Sequence, residues 1–175
     1  MIKKIISLFL ILIPINSFAL IEVDITRGNL NPLPVAVSPL SIDENSRKSF
    51  EQVLKKQNIG SEISNIVENN LRISGLFNPL SKEAFLQAPD IANLKPRFED
   101  WSLIKAQALI TGKVNYIDDK LRVEFRLWDI LAAKEIMALA FTTVPSNWRR
   151  VGHIISDKVY ERLTGEKGYF DTRII

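Results

Sequence analysis

Apolar residues recur along this chain with two periods, and each period marks an element. From Trp148 the period is helical: Val151, Gly152, Ile155, Val159 and Leu163 all fall within roughly 60° of Trp148 at 100° per residue, the arc of a core-facing stripe. Arg149, Arg150, His153, Asp157 and Glu161 take the opposite face. Ser146 and Asn147 offer N-cap oxygens, and Gly165 stands where a left-handed residue ends a helix. Beyond it, Gly168 to Ile174 reads as the start of another strand.

The forty residues before that helix have a period of two. Ala108, Ile110, Gly112, Val114 and Tyr116 line one strand, Asp118-Asp119 make a two-residue turn, and Leu121, Val123, Phe125 and Leu127 answer from a second strand. Ile136, Ala138, Ala140, Thr142 and Val144 line a third, stopped at Pro145. The expectation is an antiparallel meander with one apolar and one wetter face, covered on its apolar side by helices.

Upstream, Ile59, Ile63, Ile66, Val67 and Leu71 share one arc, predicting a helix over 60–75 with Ser61 as its cap and Asn70 hydrogen-bonded to a neighbouring loop. Leu76–Leu80 reads as a short strand, 82–87 as a helical turn, 88–96 as a surface loop with two prolines, and 98–105 as a short helix with Trp101 and Ile104 inward. Residues 41–60 are polar and charged, with Phe50, Val53 and Leu54 as apolar anchors; they read as a solvated insertion, with or without a short helix near 50–56. Val35–Ser38 is a short strand. Before it, Ile21, Val23 and Ile25 alternate with Glu22, Asp24 and Thr26, a strand running into the jointed segment 28–34.

The first nineteen residues belong to no fold. Lys3 and Lys4, an apolar run from Ile5 to Ile15, and Ser17-Phe18-Ala19 have the order of a cleaved export signal, with Ala19 and Leu20 flanking the cut. The run is about half the length of a bilayer span, which disfavours an uncleaved anchor. Removing 1–19 from 175 residues leaves 156, enough for one domain. The charge changes too: without Lys3 and Lys4, 21 of the 23 basic residues face 20 acids. That balance gives no concentrated positive face for a nucleic acid. With no cysteine in the chain, stability rests on side-chain burial rather than disulfides.

Two motifs carry a family resemblance. Trp148-Arg149-Arg150, His153, Asp157, Tyr160-Glu161, Leu163-Thr164-Gly165 and Lys167-Gly168-Tyr169-Phe170-Asp171-Thr172-Arg173-Ile174 form the first. Ile66-Val67, Asn70-Leu71-Arg72 and Ser74 to Leu80 form the second. Together they resemble the TolB family of the Tol-Pal envelope system, at the amino-terminal domain and its junction with a β-propeller, and the match covers most of the chain after residue 20. No propeller repeat is present. The resemblance implies an α+β domain of two long helices on a mixed, largely antiparallel sheet of about five strands, similar to anticodon-binding domains by analogy only. It implies a role in outer-membrane integrity and in invagination during cell division, in a Gram-negative periplasm. The implied partner is the C-terminal domain of TolA, bound by strand addition through Leu20, Ile21, Glu22, Val23, Asp24, Ile25 and Thr26. Pal is a partner only where a propeller is present. On the residues alone, Leu20–Thr26 reads first as an edge strand of its own domain.

Candidate chemistry is sparse. His153 and Asp157 lie one helical turn apart, but the chain has no Cys and no GxSxG elbow to supply a nucleophile in the right setting; Asp118-Asp119 suit a turn, and no metal or phosphate motif occurs. The expectation is a non-enzymatic monomer without cofactors, peripheral to membranes. Its organisation is signal 1–19, partner strand and hinge 20–34, domain 35–168 and a linker start at 169–175, with Arg149, Arg150, Tyr169 and Phe170 as interdomain residues. The alternative is a stand-alone periplasmic ligand-binding or envelope-assembly domain.

Overall fold

The structure, a computed structural model, describes Ile21 and residues 31–172. The signal segment, Leu20, Glu22 to Thr26 and Arg173 to Ile175 therefore lie outside the described residues. Strand β1 (Leu33–Val37) leads through a kink at Pro39 to β2 (Ser41–Ile42), then α1 (Glu44–Leu54) and α2 (Ile59–Ile73). Strand β3 (Phe77–Pro79), a 3-10 turn at Lys82–Ala84, and short helices α3 (Pro89–Leu94) and α4 (Phe98–Leu103) follow. The meander β4 (Ala108–Ile117), β5 (Lys120–Asp129) and β6 (Lys134–Thr143) then runs into α5 (Trp148–Thr164).

The sheet has the order β3-β1-β4-β5-β6, with β2 also paired to β4. The β1–β3, β1–β4 and β2–β4 pairs are parallel, and the meander is antiparallel. This is the mixed sheet and α+β class that the sequence implies. The β4–β5 turn is built from Asp118 and Asp119 at φ 50° and 58°, the mirror-image turn whose twist matches its strands. Helices α2 and α5 lie side by side on one face. Ile63, Val67 and Leu71 meet Trp148, Val151, Ile155, Val159 and Leu163 there, over Ala108, Ile110, Val123, Phe125 and Leu127.

Five expectations are corrected. Residues 41–60 are not a solvated insertion: Asp43 caps α1 through Ser46, and Phe50 is fully buried, edge-on to Tyr116 at 5.3 Å. Helix α2 starts at Ile59 with Asn58 before it, so Ser61 lies inside the helix; Ile59, itself fully buried, draws the first turn into the core. The loop expected at 88–96 contains α3, with Pro89 in its first turn, where the missing N–H costs nothing. The second sheet face is not simply wet, because α3 and α4 cover its β1–β4 end with Ala92 and Trp101 against Ala36, Leu109 and Ile130. On β6 the expected parity is reversed. A register shift opposite Leu127/Trp128 lets Ile136 and Met137 both pack on the core, after which Phe141 faces inward and Ala138, Ala140 and Thr142 face out.

Candidate partner-binding site

The two ends of the described chain reach the same sheet-and-helix body by different means. At the first, Ile21 donates its N–H to Asp129 Oδ2 at 3.0 Å, and its side chain packs against the main core. Asp129 closes β5 between Ala108 and Lys134 and is 1% exposed. Its other oxygen accepts the Ala132 N–H at 2.9 Å, which fixes the turn into β6. Sequence reading missed Asp129. The signal was there, since it continues the buried series Leu121, Val123, Phe125, Leu127, and an acid at a buried position needs partners. Among the described residues Ile21 pairs with no strand.

At the other end, the chain leaves α5 through Gly165, at φ 75°, and turns back along the helix as a strap rather than the expected strand. Asp157 holds it, accepting the N–H groups of Phe170 (2.7 Å) and Asp171 (3.1 Å). Arg150 grips the Asp171 carboxylate with Nε and Nη2, each contact 3.1 Å. That bonded carboxylate raises the guanidinium above its ordinary pKa. Tyr169 and Phe170 meet Tyr160 edge-on, with centroids 5.5 and 5.9 Å away, and Tyr160 meets Phe77 at 6.1 Å. Burial, then the neighbouring Tyr169 and Glu166, pushes the Tyr160 hydroxyl up from its ordinary value. Three of the four expected interdomain residues, Arg150, Tyr169 and Phe170, therefore meet in this strap. Arg149 does not join them, its guanidinium lying 4.3 Å from the Trp148 ring centroid.

The apparent His153–Asp157 pair is not one. His153 Nδ1 accepts from Asn70 at 2.9 Å, while Asp157 serves the strap. Asn70 therefore joins α2 to α5 instead of the expected loop, also donating to Ser156 Oγ. Asn147 precedes α5 without a side-chain cap bond and instead donates to Thr143 Oγ1. Among the described residues no cluster of acids and histidine is placed to hold a metal, and no helix is long and apolar enough to cross a membrane.

These features define a small α+β domain with one terminus latched to a buried carboxylate and the other strapped along its main helix. The model of the TolB amino-terminal domain matches residues 21–136, and the chain belongs to that family. At higher similarity, it is 77% identical over all 175 residues to the Tol-Pal system protein TolB of Pelagibacter ubique (strain HTCC1062). It spans 39% of that relative's length. The crystal structure of TolB from Acinetobacter baumannii has the same fold, with a TM-score of 0.64 at 23% identity, covering 81% of this chain and 30% of that one.

Proposed function

We propose that this chain is a non-enzymatic, periplasmic component of the Tol-Pal system, working by protein–protein contact at its amino-terminal segment. In this reading Leu20–Thr26 leaves its own domain and adds as a strand to the C-terminal domain of TolA. The supporting observation is the way Ile21 is held. An N–H on a side-chain carboxylate, paired with no strand among the described residues, is a bond that a partner's backbone carbonyl can replace one for one. Alternating Ile21, Val23 and Ile25 with Glu22, Asp24 and Thr26 gives the segment one apolar and one polar face, as an added strand needs.

The same proposal gives the strap a role. Arg150, Tyr169 and Phe170 fix the direction in which residues past Thr172 leave the domain, so they position a following domain; Pal binding belongs to a propeller there. Outer-membrane integrity and invagination at division would depend on this coupling. Co-purification of the TolA C-terminal domain with the chain, with and without residues 20–26, tests the proposal: binding is expected to vanish with the deletion, and undiminished binding rejects it.

A further inference from the structure

The two sheet edges are protected very differently. At one, β3 is three residues long and ends on Pro79, leaving little backbone to pair. At the other, β6 is ten residues long and pairs, among the described residues, only with β5. Its sole charges are Lys134 and Glu135 at its start; Ile136 to Thr143 carries none, and no proline.

Which backbone groups of β6 are free follows from the turn. The two-residue loop closes on the hydrogen-bonded pair Ile117↔Lys120, so hydrogen-bonded pairs between β4 and β5 recur at every second residue. Leu121, Val123, Phe125 and Leu127 then bond to β6, through Thr143, Phe141, Leu139 and Met137. Ala138, Ala140 and Thr142 consequently turn their N–H and C=O groups away from the sheet. Ile136 shares their parity, and its outward carbonyl is occupied by Arg162 Nε at 3.1 Å. Nothing in the described chain does the same for the other three. Beside them, on the helical face, a groove of about 330 Å³ runs between Phe141 and Thr143 of the strand and Asn147, Arg150, Val151 and Ile154 near the start of α5.

We infer that this edge pairs with the same edge of a second copy of the chain, antiparallel and centred on Ala140. The free groups are self-complementary about that residue. Ala138 meets Thr142 of the partner subunit, Ala140 meets the partner's Ala140, and each pair exchanges both its bonds, as a two-fold contact requires. In the intervening positions Leu139, 37% exposed, lies opposite the partner's Phe141 on the helical face and closes the groove over Val151 and Ile154. No charge opposes a like charge, because Lys134 and Glu135 fall outside the paired stretch. Arg162 keeps its place on Ile136 and sets the limit of the pairing. Since β3 offers no second long edge, assembly stops at two. The contact is small, so the dimer is weak and the chain monomeric when dilute.

Sedimentation of the purified chain from micromolar to millimolar concentration, with amide exchange at both ends of that range, tests the inference. The expected result is a monomer–dimer equilibrium in which the Ala138, Ala140 and Thr142 amides gain protection with concentration. Ala140→Pro removes an outward N–H without breaking a ladder bond, so it is expected to stay folded and monomeric throughout. A chain monomeric at millimolar concentration, or a dimer whose three amides exchange as fast as in the monomer, overturns the inference. Should Ala140→Pro unfold, the exchange measurement on the unaltered chain decides alone.

Discussion

Asn70 of α2 donates to Ser156 Oγ of α5 at 2.9 Å, within an interface otherwise built from aliphatic side chains and Trp148. Ser156 is fully buried and passes its own proton to the Gly152 carbonyl. The same Asn70 amide group gives its second proton to His153 Nδ1 at 2.9 Å. One amide therefore fixes the rotation of α5 against α2. Asn70→Leu keeps the volume but offers neither proton, leaving two acceptors without their donor. It is expected to cost about 1–3 kcal/mol, read as a lower urea midpoint at unchanged slope.

Two buried helical glycines are expected to respond to alanine to different degrees. A Cβ on Gly60 would stand 2.1 Å from the Leu40 carbonyl oxygen, a backbone atom held in turn by the bond from Leu40 N–H to Ser64 Oγ. A Cβ on Gly152 would meet Ile66 Cγ2 at 2.8 Å and Ile66 Cβ at 3.0 Å, side-chain atoms that a χ1 change and a small shift of α2 against α5 can relieve. Gly60→Ala is expected to destabilise by about 1–3 kcal/mol through forced backbone displacement. Gly152→Ala is expected to stay within about 1 kcal/mol of the parent, because helix propensity offsets the repacking of Ile66. Thermal melts of the two variants side by side check the contrast.

Part of the acid sensitivity should come from the start of α1. Asp43 accepts the Ser46 hydroxyl at 2.6 Å and the Ser46 N–H at 2.9 Å, and those bonds hold its carboxyl below the ordinary value. A carboxyl depressed in the folded state contributes stability above its unfolded pKa, and the contribution is lost as pH falls through the folded one. Ser46 Oγ also accepts the Tyr116 N–H, so the cap is tied to β4. Asp43→Ala is expected to cost about 1 kcal/mol at neutral pH. The gap between the two proteins should close as the pH drops below the ordinary carboxylate range, as urea titrations at several pH values would show.

What the sequence disclosed depended on whether periodicity survived into the structure. The α5 stripe and the β4–β5 alternation did: Val151, Ile155, Val159 and Leu163 are buried on one side and Leu121 to Leu127 on one parity. Residues 41–60 were illegible because α1 buries only Phe50 and Ser46, too few positions to make a stripe. The parity of β6 was misread because one bulged residue reverses every later side chain, and nothing in Lys134–Thr143 announces it. At the candidate site, Tyr169, Phe170 and Arg150 lie together, but their fold-back depends on Asp157, which the helical wheel assigned to solvent.

Asp129 offers the sharpest separation between holding the amino-terminal segment and building the domain. Asp129→Asn keeps one oxygen, sufficient for the Ala132 N–H, and turns an amide donor toward the Ile21 N–H, two donors facing each other. Loss of that bond at a buried site is expected to cost about 1–3 kcal/mol locally. Because Ile21 pairs with no strand among the described residues, the cost should fall on its docking and leave the β4–β5–β6 ladder intact. Amide exchange should then speed up at Ile21 while Val123 and Phe125 keep their protection. Under the proposed function the variant should also capture the TolA C-terminal domain more tightly, since the segment no longer has to be pulled from its own carboxylate. Faster exchange at Ile21 without tighter capture would mean that release of this residue does not limit partner binding.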